Sequence, residues 1–174
     1  MRSIRKKKLS EMIRVDHAGE FGAQRIYSGQ IKFTKDKKLK KVLEKIATQE
    51  KVHLEYFEKL MIEKQVRPTI MHSFWNMAGF SLGAITAMLG KNYVMACTDA
   101  VETVIVDHYR KQLEEINKFD EKEIKKKLEK FLEEESEHQK AGNDNIDSED
   151  LKIKIFKIFV KKGTDIAIKI SQKI

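Results

Sequence analysis

Glu50-Lys51-Val52-His53 returns in form as Glu135-Ser136-Glu137-His138, and this repeated Glu-x-x-His is the reading on which the fold turns. Residues three apart share one face of a helix, so each pair can aim a carboxylate and an imidazole at one point. Working outward, a single glutamate precedes each pair: Glu20 lies 30 residues before Glu50, and Glu102 lies 33 before Glu135. Tyr27 and Tyr109 follow Glu20 and Glu102 by seven residues, nearly two helical turns, which returns them to the same face. The same order thus occurs twice in one chain.

A single proline and eight glycines in 174 residues leave long stretches without a helix breaker. Apolar periodicity of 3.6 places helices near 9–33, 36–64, 70–90, 91–118, 120–141 and 150–172. Arg67-Pro68 is expected to separate the second helix from the third, and Gly142-Asn143-Asp144-Asn145 to cap the fifth. The length suits one domain, residues 1–174. The expected fold is all-α: a ferritin-like four-helix bundle with a long crossover helix and an added C-terminal amphipathic helix. In that architecture two Glu-x-x-His helices face two single-glutamate helices around a pair of metal ions.

On this reading Glu20, Glu50, His53, Glu102, Glu135 and His138 are the metal ligands. The bland alternative is a set of surface acids and core histidines, but Glu102 sits in the apolar run Ala100–Val106, where an uncompensated carboxylate is costly to bury. Four carboxylates and two imidazoles suit iron or manganese better than zinc. Asp16 and His17 share the face of Glu20, and Asp99 that of Glu102. Each aspartate is read either as support for a ligand histidine or as a helix cap or ion-pair partner of Arg14 or Arg25. The lone Cys97 excludes an internal disulfide and suits a reducing cytosolic setting. The basic start (Arg2, Arg5, Lys6, Lys7, Lys8) lacks the apolar core of an export signal.

Arg14-Val15-Asp16-His17-Ala18-Gly19-Glu20-Phe21-Gly22-Ala23, continuing Arg25-Ile26-Tyr27, resembles the opening motif of the demethoxyubiquinone hydroxylases of ubiquinone biosynthesis. Glu50-x-x-His53, Ala100-Val101-Glu102, His108-Tyr109 and Glu135-x-Glu137-His138 follow in that family's order. The resemblance implies two iron ions on the six ligands already named. It implies hydroxylation of a prenylated demethoxy-quinol ring with dioxygen in the penultimate step of the pathway, with NADH as transient electron donor. It also implies electron delivery through His108 and Tyr109; Asp107 stands where some relatives carry another histidine.

Residues 68–90 carry no formal charge, a length that could span a bilayer. A single crossing would put Glu20 and Glu50 on the opposite side from Glu102 and Glu135, so an interfacial helix is expected instead, the alternative being a helix buried by a partner subunit. Leu151 to Ile174 interleaves apolar residues with Lys152, Lys154, Lys157, Lys161 and Lys162, which favours an anionic lipid surface. The net charge of +8 fits the same assignment. The expected setting is peripheral, on the cytoplasmic face of the inner or plasma membrane, with a homo-oligomer or a lipid-delivering helper protein as further partner and no nucleic acid. A di-iron tRNA hydroxylase and a ferritin-like iron oxidation or storage protein are the competing functions; the basic charge would suit the first but the uncharged helix argues against it, and that helix and the basic tail would be misplaced on the surface of a ferritin shell.

Overall fold

The computed structural model describes residues 2–173; the side chains of Arg2 and Ser3, and Ile174, lie outside the described set. Six helices follow one another: α1 (Arg2–Phe33), α2 (Lys37–Lys64), α3 (His72–Leu89), α4 (Lys91–Ile116), α5 (Lys122–Asp144) and α6 (Leu151–Lys173). No strand occurs among the described residues. The fold class is all-α and ferritin-like, as the sequence pattern predicts.

Local chemistry sets the helix ends. Asp36 caps α2 by accepting from the backbone N–H groups of Lys38 and Leu39 at 2.7 and 3.2 Å. Helix α2 stops at Lys64, where the sequence pattern ends it. Gln65 takes the left-handed conformation (φ 55°), and the Val66 N–H closes the turn on the Met61 carbonyl at 2.9 Å. Gly90, at φ 104°, makes the break between α3 and α4, where a side chain would be strained. Asp150 Oδ1 accepts from the Ile153 N–H at 2.9 Å and starts α6.

Two boundaries differ from expectation by more than two residues. Helix α1 begins before residue 9, its lysine-rich start carrying a Ser10 hydroxyl bond to the Lys6 carbonyl. Helix α5 runs through Gly142 to Asp144. Gly142 is not a left-handed cap; it is a close-approach residue, since a Cβ there would lie 2.6 Å from the Asp99 backbone nitrogen. The glycine is needed for packing.

The chain divides into two compact units, one comprising the residues up to Val94 together with those from Ile166 onward, the other Met95–Asp165. In the first unit α1 crosses α3 at glycine contacts. A Cβ on Gly79 would meet the Gly22 carbonyl oxygen at 3.0 Å, and one on Gly83 would collide with the Ile26 carbonyl. Leu39, Leu43, Ile46, Phe57 and Leu60 form the buried stripe of α2. Trp75 Nε1 donates to Ser171 Oγ at 3.0 Å, and Arg14 Nη1 to the Gln172 carbonyl at 3.4 Å, fixing the end of α6 within this unit. In the second unit Ile124, Leu128 and Phe131 of α5 and Ile153 and Val160 of α6 are buried.

Among the described residues no helix is long and apolar enough to cross a membrane. Several large apolar side chains are nonetheless exposed: Phe74, Met77, Ile85, Met88 and Leu89 on α3, and Leu151, Ile155, Ile158, Phe159 and Ile166 on α6.

Candidate metal centre

Each unit builds one triad from two helices. In the first, Glu20 comes from α1 and Glu50 and His53 from α2, all at most 3% exposed. One ligand atom from each lies within 4.8 Å of the other two, and His53 Nδ1 stands 3.5 Å from Glu20 Oε2. The helices are pinned beside the triad: Gln24 Nε2 donates to the Ala47 carbonyl at 2.5 Å. Gln24 is one turn after Glu20 and Ala47 one turn before Glu50, so this bond fixes their relative height.

In the second unit Glu102 comes from α4 and Glu135 and His138 from α5, buried to the same degree. Their ligand atoms again lie within 4.8 Å of one another, with His138 Nδ1 3.2 Å from Glu135 Oε2. Gln139 Nε2 donates to Thr103 Oγ1 at 3.0 Å, and the Thr103 hydroxyl donates to the Asp99 carbonyl at 2.6 Å. Gly142 lets α5 approach α4 one turn beyond His138.

The donor chemistry fits a metal. Two carboxylates buried so close together repel one another and lose hydration, costs that a shared cation offsets, and the imidazole adds a further donor. Oxygen and imidazole donors without thiolate suit a divalent first-row ion. Cys97 does not change the set: burial first, and the charge of Glu102 second, push its thiol up to about 12, so it stays protonated.

Around the triads the structure separates the supporting roles. Asp16 and Asp99 both lie inside helices, which removes the capping alternative. The ion-pair partner of Asp99 is Lys157, whose Nζ is 2.7 Å from Asp99 Oδ2. Lys157, read from sequence as one of the basic lipid-facing lysines, turns inward instead, with its side chain 14% exposed. The signal was present, since Lys157 falls on the helical face of the buried Ile153 and Val160. Lysine alone gave no reason to weigh it. His17 is buried, and burial first and His72 second lower its pKa to about 4, so the imidazole is neutral near pH 7. The rings of His17 and His72 lie 17° from parallel, and Phe21 stacks on His72 with centroids 3.8 Å apart. Tyr109 is buried while His108 is partly exposed, with its Nε2 2.8 Å from Gln112 Nε2. The His108 and Tyr109 ring centroids are 6.4 Å apart.

An all-α chain carrying two buried Glu-Glu-His triads on paired helices falls in the ferritin-like carboxylate class. The model of the family described as Ubiquinone biosynthesis protein COQ7 matches residues 7–171. The chain belongs to that family. It is 44% identical over 174 residues to a protein of Dictyostelium discoideum named NADPH-dependent 3-demethoxyubiquinone 3-hydroxylase, mitochondrial, covering 98% of this chain and 80% of the relative. It is 39% identical over 175 residues to the Homo sapiens protein of the same name, covering 99% and 81%. A Rhodospirillum rubrum protein named 3-demethoxyubiquinol 3-hydroxylase is 37% identical over 167 residues, covering 95% and 78%.

Proposed function

We propose that this chain is a di-iron monooxygenase that hydroxylates the ring of a prenylated demethoxy-benzoquinol in the penultimate step of ubiquinone biosynthesis. The observation that carries the reading is the pair of buried triads, Glu20–Glu50–His53 and Glu102–Glu135–His138. Together they would hold two iron ions, the two compact units acting as one domain. When bound, iron at such a centre supplies dioxygen activation and transfer of one oxygen atom to the ring. The chain supplies the rest. Burial of all six side chains excludes bulk water from the reacting atoms. The Gln24–Ala47 and Gln139–Thr103 hydrogen bonds hold each helix pair in register, so the carboxylates need not reorganise when charge changes. Partly exposed His108 beside buried Tyr109 gives electrons a route from the surface inward. The donor is a reduced nicotinamide reacting transiently; NADH is our assignment, and the two eukaryotic relatives' names specify NADPH.

The exposed apolar residues of α3 and α6, with the exposed Lys152, Lys154 and Lys162, support peripheral binding to an anionic membrane. There the chain would draw its quinol from the cytoplasmic face of the inner or plasma membrane, as a homo-oligomer or with a helper protein. Flotation with anionic liposomes tests this: full-length protein should float, Phe159→Glu should float less, and wild-type protein left in the soluble fraction would refute it.

The activity is tested by iron content of anaerobically purified protein, co-extracted quinone and turnover of a demethoxy-quinol, with Glu135→Ala as control. Near two irons per chain, lost in the variant, with hydroxylated product is the expected result. Iron without hydroxylation would overturn the substrate assignment, and no iron under reconstituting conditions would overturn the ligand set.

A further inference from the structure

Helix α4 presents two carboxylates one turn apart, Asp99 and Glu102, and residues spaced by three share a helical face. Only Glu102 belongs to a triad. Asp99 is 4% exposed, so it is a second acid buried beside a proposed divalent-metal site. Lys157 of α6 holds it at 2.7 Å and holds Glu149, in the connection before α6, at 2.5 Å. The Asp99 backbone also lies against Gly142, four residues after His138, so the turn carrying Asp99 abuts the triad's supports on both α4 and α5. Thr103, next to Glu102, closes onto the Asp99 carbonyl and receives Gln139, next to His138. Thr103 and Gln139 thus tie this turn to the neighbours of Glu102 and His138.

We propose that Lys157 is a positioning residue for the Glu102–Glu135–His138 triad: its ion pair with Asp99 keeps a third carboxylate out of that triad's ligand set and fixes the α4 turn that presents Glu102. The physical reason is competition. A buried carboxylate one turn from a metal-ligating glutamate would be attracted to a bound divalent cation, and a third anionic donor in the triad would change the donor set the metal meets. The ammonium of Lys157 gives that carboxylate a nearer cation. The inference rests on the metal assignment above, and its test separates the two.

The test is anaerobic titration of the metal-stripped full chain with Co(II), read as stoichiometry, affinity and visible absorption, for wild type, K157M, D99N and D99N/K157M, with far-UV circular dichroism reporting folding. K157M is expected to shift the Co(II) absorption and to change affinity by about 10-fold or more, the scale of a lost supporting partner. D99N/K157M should return both to wild-type values, because the released carboxylate is gone. D99N alone should match wild type. K157Q, which keeps a hydrogen-bonding group but no charge, repeats the test if K157M does not fold. Wild-type behaviour of the Lys157 variants, or a double variant as perturbed as the single one, overturns the proposal and leaves Lys157 a packing residue. Wild-type protein that takes up no Co(II), or an E135A variant that takes it up normally, overturns the metal assignment instead.

Discussion

The two triads use the same residues in the same order, yet their supports differ. Around Glu20, Glu50 and His53 the supports include the Gln24–Ala47 hydrogen bond, the neutral His17 with His72 and Phe21, and the glycine contacts between α1 and α3. Around Glu102, Glu135 and His138 a hydrogen-bonded chain ends in the Asp99–Lys157–Glu149 ion pairs. A duplicated ligand pattern therefore does not carry duplicated scaffolding. The ligands answer to the metal, while each support answers to the helices that surround it.

Removing one ligand from each half gives the largest expected effect. Glu50→Ala and Glu135→Ala should each lose more metal and activity than the roughly 10–100-fold of a supporting residue. If the halves form one centre, either variant lowers iron below one ion per chain. Retention of one full iron by each would mean two independent sites, which metal analysis decides.

Packing glycines come next. Gly83→Ala sets a methyl group against the Ile26 backbone, and Gly142→Ala one at 2.6 Å from the Asp99 nitrogen. Backbone cannot swing aside, so each should cost about 1–3 kcal/mol, visible as a Tm lower by several degrees. Gly142→Ala should also lower metal affinity, since it separates α5 from α4 beside His138. An equal metal defect in Gly83→Ala would show that the α1–α3 contact supports the first triad as directly.

The supports also predict opposite responses to pH. His17, lowered to about 4 in the folded chain against 6.5 for the free residue, contributes stability that is complete above pH 6.5 and lost as pH falls toward 4. The shift corresponds to at most roughly 3 kcal/mol, because the unfolded chain binds the proton more readily. For Lys157, burial lowers the pKa but the hydrogen bonds to Asp99 and Glu149 outweigh it, leaving it above its usual 10.5. Its contribution is complete below pH 10.5 and lost as pH rises through the raised value. Urea unfolding across pH should show the acid arm flattened in His17→Gln and the alkaline arm flattened in K157M. An unchanged acid arm in His17→Gln would assign acid sensitivity to the carboxylates.

Much of this was legible before any coordinates. The order in which the six triad residues occur, the helix count and the division between residues 90 and 91 follow from spacing and residue type, because a helix converts sequence distance into direction with little ambiguity. Gly142 and Lys157 were misread for one reason: both are decided by contacts with residues far away in sequence. A glycine near a helix end suits a cap as well as a close approach, and a lysine on an amphipathic helix suits solvent as well as an ion pair. Asp99 could be placed beside Glu102 from its spacing, but its partner is 58 residues away, and no local pattern names it.

The smallest expected effect compares two glycines with open space around them, one in each half. At Gly22 in α1 and Gly163 in α6 an added Cβ meets nothing within 4 Å. Both sit inside helices, where glycine costs about 0.5–1 kcal/mol relative to alanine through backbone entropy. Each alanine variant should therefore raise Tm slightly without altering metal content. Gly22 is the more demanding case, because its carbonyl receives the Gly79 contact of α3 and lies two residues from Glu20. If Gly163→Ala stabilises and Gly22→Ala does not, the α1 backbone must shift to admit a methyl group. The first half would then be the more tightly specified of the two. Equal gains would confine the constraint to the glycines that face a neighbouring backbone.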